Sequence, residues 1–389
     1  MNKRHGINPK INNSQSRFFL IIKIAIVCLL AYTIYAVYYP HYIHEQKFQK
    51  SSPFVIRRGP NLILENDTFH IIGVNDYGLA YENNNTIDQT FNQLHNAGVN
   101  TIRFWLFDDG DPNGFQPNPG SYNESRFKQA DYVLFEAKKY NMKVIPVLVN
   151  NWTDYGGKDQ YLKWVGINPS SDENAFYTDN QVTSLFKQYI SYIFSRNNTY
   201  THITYANDPT ILGWDIMNEP RSTNQNAMNT WLIDIATYIK QHDPNHLVFA
   251  GTDVATSPAP YSDESINLCN SPAIDICSIH LYLFNSANNQ PVYNSYDETI
   301  QFMQTQKNYA DKINKPLLLE EFGVGQDTLP FGEDPLSVMQ QIINYSNQQG
   351  LSGFLVWNWS QTTTSPFTFS PQGNSQGEYS LTDLEKLLH

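Results

Sequence analysis

Short apolar runs recur along the chain from about residue 59, and polar loop residues and helix-like patterns follow each run. The runs are apolar at nearly every position, which is typical of strands that are buried on both faces of a parallel sheet. They cover residues 69–74, 100–107, 143–149, 211–217, 247–250, 274–280, 316–320 and 352–357. The pattern therefore predicts eight parallel strands.

Two of the connections between these runs carry clear amphipathic helix patterns. In the first, residues 178–181 (Thr-Asp-Asn-Gln) predict a capping box ahead of an apolar stripe. In the second, the stripe ends at residues 243–245 (Asp-Pro-Asn). The two stripes are Val182, Phe186, Ile190 and Ile193, and Trp231, Ile235, Tyr238 and Ile239. Both stripes are interpreted as packing surfaces.

The alternation of eight strands with helices in about 330 residues predicts an α/β fold, a (β/α)₈ barrel. A doubly wound sheet is the alternative. That fold favours a glycine-rich phosphate-binding turn after an early strand, and residues 73–78 (Gly-Val-Asn-Asp-Tyr-Gly) do not match such a turn.

A separate apolar segment precedes the barrel pattern. Residues 18–39 are apolar apart from Lys23, and Lys3, Arg4, Lys10 and Arg17 come before them. About 20 apolar residues span a bilayer, and the basic flank predicts that residues 1–17 stay in the cytoplasm. We expect an uncleaved transmembrane anchor, because a cleaved signal peptide would have a shorter apolar core and a cleavage site with small residues.

This segment divides the chain into four predicted parts. They are a basic tail (1–17), a transmembrane anchor or signal segment (18–40), a polar stalk (41–58) and a catalytic (β/α)₈ domain (59–389). The last part is expected outside the cytoplasm, either tethered to the membrane or secreted if the segment is cleaved. Two cysteines in it, Cys269 and Cys277, either form a disulfide or remain as two free thiols.

Charge and composition narrow the range of partners. The formal net charge is −12, which argues against a nucleic-acid partner because such partners favour a basic patch. Aromatic residues make up 14% of the chain and supply flat apolar faces on which sugar rings can stack. No Cys/His cluster has metal-ligand spacing, so we expect no metal ion and no cofactor. The catalytic domain is expected to be monomeric.

Two predicted strands end in carboxylates. The run 211–217 leads into Asn218-Glu219-Pro220, and the run 316–320 leads into Glu321-Phe322-Gly323. In a barrel of this kind, chemistry takes place where strands end and the following loops begin. Two carboxylates at that position are the minimum for cleaving a glycosidic bond, because one donates a proton and the other attacks the sugar or activates water.

Other strand ends add groups that could bind and orient a sugar. Taken one at a time, each residue has an ordinary structural explanation, but together they form a consistent set at one barrel mouth. The set consists of Arg103, Trp105, Asn150, Trp152, Asn218, His280, Tyr282 and Trp357.

With these residues the chain resembles the endo-β-1,4-mannanases of glycoside hydrolase family five, a retaining family built on the (β/α)₈ barrel. The resemblance extends over about residues 60–360 and is carried by residues 100–105, 148–161, 196–205, 208–221, 280–282 and 320–323. The Asn-Glu-Pro motif at 218–220 is widely shared in this clan. The Asn-Asn-Trp and Gly-Gly-Lys stretch at 150–158 is the more mannanase-like signal.

The resemblance implies a role for each matching residue. Glu219 corresponds to the general acid/base and Glu321 to the nucleophile. Asn218 corresponds to the residue that binds the sugar 2-hydroxyl, and Arg103 to the arginine that keeps the nucleophile ionised. His280 and Tyr282 flank the point of cleavage, with the tyrosine hydroxyl orienting the nucleophile. The tryptophans Trp105, Trp152 and Trp357 line the cleft, and Trp357 lies beneath the sugar that is attacked.

Physical chemistry sets expectations for the two carboxylates. A fixed cation should hold the pKa of the nucleophile down, and an apolar or like-charged environment should keep the acid protonated. Successive strand residues point to opposite faces, so only one of Glu320 and Glu321 is expected to enter the mouth. The resemblance selects Glu321 and leaves a structural role for Glu320.

The resemblance has limits. The apolar segment 18–40 is not part of the usual secreted pattern of the family, and residues 361–377 match less well. The predicted substrate is β-mannan or a related polysaccharide. A β-1,4-glucanase or other β-glycosidase with the same mechanism is the alternative, because mannose and glucose differ only at C2. A non-catalytic carbohydrate-binding surface protein is a third reading, which the presence of both glutamates disfavours.

Overall fold

The computed structural model describes residues 52–253, 268–282, 296–325, 334–362, 365–373 and 378–389. The predicted tail (1–17) and anchor (18–40), together with the stalk up to residue 51, lie outside the described residues. Among the residues that are described, no helix is both long and apolar enough to cross a membrane.

The fold begins with a small antiparallel sheet of three strands. β1 (Ile56–Arg58) pairs with β2 (Asn61–Leu64), which pairs with β3 (Asp67–Thr68). Val55 and Leu62 are each 1% exposed and pack into the barrel interior with residues of the barrel strands. β1 therefore lies inside the segment predicted as a stalk, and the folded unit begins at Pro53 instead of residue 59.

Eight parallel strands form the central sheet, which confirms the prediction from the apolar runs. They are β4 (Ile71–Asn75), β5 (Thr101–Trp105), β6 (Lys143–Val147), β7 (Gly213–Asp215), β8 (Leu247–Phe249), β9 (Cys277–Tyr282), β10 (Leu317–Gly323) and β11 (Gly353–Trp357). The strand order is β8-β7-β6-β5-β4-β11-β10-β9. A parallel bridge between Phe249 and Ile276 joins β8 to the residue before β9 and closes the barrel.

Helices connect the strands and surround the sheet. Their bounds are α1 (Asn84–Asn96), α2 (Glu124–Lys139), α3 (Gly157–Trp164), α4 (Ala175–Thr178), α5 (Asn180–Ser195), α6 (Gln225–His242), α7 (Tyr296–Lys312), α8 (Pro335–Gln348) and α9 (Leu381–Leu388). Short strands β12 (Phe369–Ser370) and β13 (Tyr379–Ser380) pair in parallel ahead of α9. This alternation is the (β/α)₈ barrel that the pattern predicts.

The start of α5 differs from the prediction. Asp179 caps the helix and accepts hydrogen bonds from the backbone N–H groups of Gln181 and Val182, whereas Thr178 is the last residue of α4. The capping box predicted from Thr178 is therefore wrong, because the aspartate at the next position already supplies the side-chain acceptor that the helix terminus needs. The apolar stripe of α5 is buried as expected.

A disulfide links Cys269 to Cys277 at the start of β9, with Cα atoms 5.7 Å apart. Of the two states left open by the sequence, the cysteine pair therefore adopts the bonded one.

Candidate active site

All ten predicted site residues lie at the carboxyl ends of the barrel strands or in the loops directly after them. β5 carries Arg103 and Trp105, the loop after β6 carries Asn150 and Trp152, and the loop after β7 carries Asn218 and Glu219. β9 carries His280 and Tyr282, and β10 and β11 carry Glu321 and Trp357. The hydrogen bonds and ring contacts described below connect these side chains into one site.

Arg103 is the centre of the hydrogen-bond network. Its guanidinium is fully buried and donates to Asp215 from Nε at 2.8 Å and to Glu321 from Nη1 at 2.5 Å. Nη1 also donates to Asn75 at 3.1 Å, and Nη2 donates to Asn218 at 3.0 Å. A planar guanidinium can serve several acceptors in fixed directions, so Arg103 orients side chains from β4, β7, β10 and the loop after β7 at once.

Glu321 is surrounded by donors. Besides Arg103, the hydroxyl of Tyr282 donates to its Oε2 at 2.7 Å, and Nδ1 of His280 lies 3.4 Å from the same oxygen. Burial nevertheless raises the pKa of Glu321 above its ordinary value, against the opposing effect of His280 and Arg103. Arg103 thus lowers the pKa of Glu321 as expected, but burial outweighs its effect.

Glu219 has a strained backbone and a polar environment. Its φ angle is +50°, in the left-handed region, and its N–H donates to the carbonyl of Gly251 at 2.9 Å. Its carboxylate accepts from Trp152 Nε1 at 2.8 Å and contacts His280 Nδ1 at 2.9 Å. Burial opposes ionisation, but His280, Arg221 and Trp152 together lower the pKa of Glu219 below its ordinary value.

This direction corrects the expectation of an apolar or like-charged environment for the acid. The physical reason is His280, which lies closer to Glu219 than to Glu321. Although burial opposes its charged form, the surrounding carboxylates of Glu321, Glu219 and Glu320 raise the pKa of His280 well above its ordinary value. The imidazole lies between the two carboxylates, and its charged form favours the ionised form of the nearer one.

The two carboxylates lie close together. One oxygen of Glu219, one oxygen of Glu321 and one ring nitrogen of His280 are all within 4.8 Å of one another. Such a set could in principle surround a metal ion. The carboxylate oxygens of this set accept hydrogen bonds from Arg103, Tyr282 and Trp152.

Glu320 does not point away from the site as expected. The pairing of β10 with β9 shifts between Leu319, opposite Ile279, and Glu321, opposite His280, so Glu320 is the extra residue of a bulge. Its Oε2 lies 3.3 Å from His280 Nε2, and its Oε1 lies 3.9 Å from Arg103 Nε. The alternation argument failed here because a bulge interrupts the two-residue period of the strand.

Aromatic side chains form one wall of the site. Trp357 is half-buried and stacks on Tyr77 at 5.6 Å between ring centroids, and it contacts Trp105 at 6.1 Å and Tyr282 at 6.5 Å. Trp105 is only 3% exposed, so it offers less open surface than expected for a residue that lines the cleft. On the other side of the site, the Arg221 guanidinium lies 4.5 Å from the ring centre of Trp152.

Several residues of the site were missed from the sequence. They are Asn75, Tyr77, Asp215, Arg221 and Asp253. Asn75 ends β4 and Asp253 follows β8, so the rule used for the other strand ends would have found both. Asp253 binds Arg221 at 2.6 Å, which in turn lies 3.6 Å from Glu219. Burial, followed by the charge of Glu320, raises the pKa of Asp215 to about 7.

The chain is similar to known proteins over most of its length. A family model described as "GH family 5 beta-mannosidase-like" matches residues 52–363. Mannan endo-1,4-beta-mannosidase 2 of Oryza sativa subsp. japonica is 32% identical over 346 residues, which cover 79% of this chain and 77% of the relative. Mannan endo-1,4-beta-mannosidase 4 of Solanum lycopersicum is 33% identical over 297 residues, or 71% of this chain and 74% of the relative.

Solved structures agree with the sequence relatives. The endo-beta-1,4-mannanase from Thermotoga petrophila superimposes with a TM-score of 0.72 at 25% identity and covers 82% of this chain and 76% of that one. The endo-1,4-beta-mannanase from Rhizomucor miehei also gives a TM-score of 0.72 at 25% identity, with 86% of this chain and 99% of that one covered.

Proposed function

Because this chain belongs to the β-mannosidase-like group of glycoside hydrolase family 5, we propose that it is an endo-β-1,4-mannanase. It hydrolyses internal β-1,4-mannosidic bonds of mannan and glucomannan with retention of configuration. The observation that carries this proposal is the separation of Glu219 and Glu321, which bring one oxygen each to within 4.8 Å. Retaining glycosidases hold their two carboxyl groups about 5–5.5 Å apart, whereas inverting enzymes need about 6.5–9.5 Å to admit water.

The reaction proceeds in two displacements. In the first, Glu321 attacks the anomeric carbon while Glu219 gives its proton to the departing glycosidic oxygen. The glycosidic C–O bond breaks, and an ester forms between the sugar and Glu321. In the second, Glu219 takes a proton from a water molecule, whose oxygen attacks the anomeric carbon and releases Glu321. Two inversions at one carbon restore the β-configuration.

The hydrogen bonds around Glu321 support its role as the nucleophile. Arg103 and Tyr282 donate to different oxygens of the carboxylate, which fixes its plane relative to the sugar. Asn218 is held between Arg103 and Asn150, to which its amide nitrogen donates at 3.1 Å. An amide fixed at this point is suited to the sugar 2-hydroxyl, a contact that strengthens at the transition state of glycoside hydrolysis.

The electrostatics of the site indicate how activity depends on pH. A low pKa makes Glu219 a stronger proton donor, but it also decreases the fraction of enzyme that carries the proton near neutral pH. Since the reaction needs one proton on the pair, we expect the activity to be highest at mildly acidic pH and to fall as the pH rises.

The test uses the full chain, solubilised in detergent, with β-1,4-mannan, glucomannan and cellulose as substrates. We expect new reducing ends from mannan, a rapid fall in viscosity that marks internal cleavage, and β-anomers as the first products. Glu219→Gln and Glu321→Gln should each lower kcat by at least about 10³-fold while oligosaccharide binding persists. Glu136→Gln is the matched control, because Glu136 is also a buried carboxylate but lies on α2, bound to Lys139.

Three results would each refute part of the proposal. Cleavage of cellulose without cleavage of mannan would keep the mechanism and change the substrate to a glucan. Release of α-anomers would contradict retention. Binding of polysaccharide without cleavage would point to a carbohydrate-binding protein.

The location of the enzyme is a separate proposal. We propose that residues 18–40 anchor a monomeric enzyme in a membrane, with residues 1–17 in the cytoplasm and the barrel domain outside it. The apolar length and basic flank of the segment support this orientation. The Cys269–Cys277 disulfide also fits an oxidising compartment. Membrane fractionation and protease treatment of intact cells test it, and full-length protein in the soluble fraction would contradict it.

A further inference from the structure

Glu320 is a buried carboxylate that the two-displacement reaction does not use. It is fully buried on β10, one residue before the nucleophile, and the bulge turns it toward the same side of the strand. The bulge interrupts the regular pairing of β10 with β9, and it brings a third carboxylate close to the catalytic pair. This makes Glu320 a candidate for a role in the reaction that depends on the proposed function.

His280 is the side chain that connects Glu320 to the catalytic pair. Its Nε2 lies 3.3 Å from Glu320 Oε2, and its Nδ1 lies 2.9 Å from Glu219 Oε1. Each ring nitrogen thus faces a carboxylate oxygen. When both carboxylates are ionised, the imidazole binds both oxygens only if both nitrogens carry a proton, because a lone pair that faces an ionised oxygen is repelled.

We propose that Glu320 is a positioning residue that holds the His280 ring in its doubly protonated form, with Nδ1–H directed at Glu219 and Glu321. Because Glu320 is fully buried, we place it out of contact with the sugar. Its effect on the reaction passes through His280, which stabilises the Glu219 carboxylate after the proton has gone to the departing oxygen.

Other charged groups also face His280, and most of them act in the same direction. Glu219 approaches from the loop after β7, Asp215 from β7, Asp253 from the loop after β8, and Glu321 from β10. Arg103 on β5 and Arg221 after β7 carry the opposite charge and bind these carboxylates. Among the described residues, Glu320 is distinguished because its carboxylate contacts the Nε2 edge of the ring within hydrogen-bonding distance.

Glu320→Gln tests the proposal because it keeps the size of the side chain and removes its charge. A neutral amide oxygen can accept from Nε2–H, but it no longer favours a charged ring, so the Nδ1 proton becomes easier to lose. Loss of the negative charge of Glu320 lowers the pKa of His280 and of the nearby carboxyl groups, whichever of them holds the proton. We expect the alkaline limb of kcat/KM to move to lower pH by about 1 unit and kcat to fall about tenfold, with KM unchanged.

The protonation of His280 provides a readout that does not depend on activity. The ¹⁵N and ¹H chemical shifts of histidine rings distinguish a doubly protonated ring from a neutral one, and a His280→Asn spectrum assigns the signal. In the wild-type full chain we expect His280 to be doubly protonated at about pH 6. In Glu320→Gln we expect its titration midpoint to fall by about 1 unit, while Glu136→Gln leaves the signal and the pH profile unchanged.

Each outcome bears on the proposal in a defined way. A neutral His280 in the wild-type protein at about pH 6 overturns it, even if Glu320→Gln does not fold. A Glu320→Gln enzyme with lower activity but an unmoved alkaline limb overturns it as well, because a merely structural role would give that result. If the wild-type protein cleaves no mannan, the proposed function fails, and the His280 signal in the variant still decides the link between Glu320 and His280.

Discussion

Replacement of Arg103 by lysine is the most informative test of the site. Arg103 is fully buried and bonds to Asp215, Asn75, Glu321 and Asn218 through three different nitrogens. Lysine keeps the positive charge, but the three N–H groups of its ammonium leave at least one of these four bonds unmade. A bond that involves a charged group contributes about 1.5–3 kcal/mol. We therefore expect Arg103→Lys to lower the free energy of unfolding by at least about 1.5–3 kcal/mol.

The same substitution should reduce activity by more than its effect on stability explains. Without the fork of the guanidinium, the plane of the Glu321 carboxylate is no longer fixed, and a displacement of about 1 Å in a reacting group can cost about 100-fold in rate. We expect kcat on β-1,4-mannan to fall about 100-fold, measured as reducing ends at saturating substrate and at a temperature where the variant remains folded. Urea unfolding gives the stability.

Arg196→Lys is the matched control for this experiment. Arg196 is 7% exposed and binds Asp131 and Glu124 on α2 through Nε, Nη1 and Nη2. It should also lose stability, since it forms an ion-pair fork with the buried Asp131 and the more exposed Glu124, but its kcat should stay within about threefold of the wild type. Equal losses of kcat in both variants would refute the reasoning, because they would show that the effect of Arg103 comes from the fold alone.

Three further predictions use other parts of the structure. A 2-deoxy-2-fluoro-β-mannosyl inhibitor should label Glu321, and peptide mass mapping that finds the label on Glu320 would contradict the assignment of the nucleophile. Removal of the disulfide by Cys269→Ser with Cys277→Ser should lower the free energy of unfolding, measured in urea, by about 2–3 kcal/mol, as expected for a loop with a sequence separation of 8. An unchanged midpoint of urea unfolding would contradict a stabilising role of the disulfide. Burial raises the pKa of Asp215 to about 7. The folded state therefore binds a proton at this carboxyl more tightly than the unfolded state does. As the pH falls from about 7 to 4, this difference increases the free energy of unfolding. Asp215→Asn should reduce that gain in urea titrations at about pH 5 and 7, and an equal gain in both proteins would exclude Asp215 as its source.

The barrel could be predicted from the sequence because its strands are buried on both faces. Each of the eight apolar runs became a barrel strand, although the strands are shorter than the runs at several ends, as in β7 (Gly213–Asp215). Helix ends were less accessible to prediction. The residues at 178 and 179 both can cap a helix, and only the backbone path decides that Asp179 does so. The N-terminal strands were missed because β1 and β3 are short and largely polar.

The catalytic pair could be predicted because strand ends meet at one mouth in any parallel barrel. The proton affinities of that pair could not. They depend on small differences in geometry, because His280 lowers the pKa of both carboxylates but lies 2.9 Å from Glu219 and 3.4 Å from Glu321, where burial outweighs its effect. Asp215 was missed for a different reason. It lies within an apolar run, where a buried carboxylate needs a partner, and Arg103 on β5 supplies that partner in the barrel interior.

The bulge at Glu320 shows how one change in strand register determines the chemistry of the site. In a regular strand, Glu320 and Glu321 would face opposite sides, and His280 would meet a carboxylate on one ring nitrogen only. The shift in pairing between Leu319 and Glu321 involves the partner strand β9, and no residue type in the Leu-Leu-Glu-Glu sequence of β10 predicts this shift. Because the extra residue turns Glu320 inward, a carboxylate oxygen lies near each ring nitrogen of His280, and these carboxylates raise the pKa of the ring. His280 in turn acts with Arg221 and Trp152 to lower the pKa of Glu219, so the proton affinities of the active site depend on a backbone irregularity and not on the catalytic motif alone.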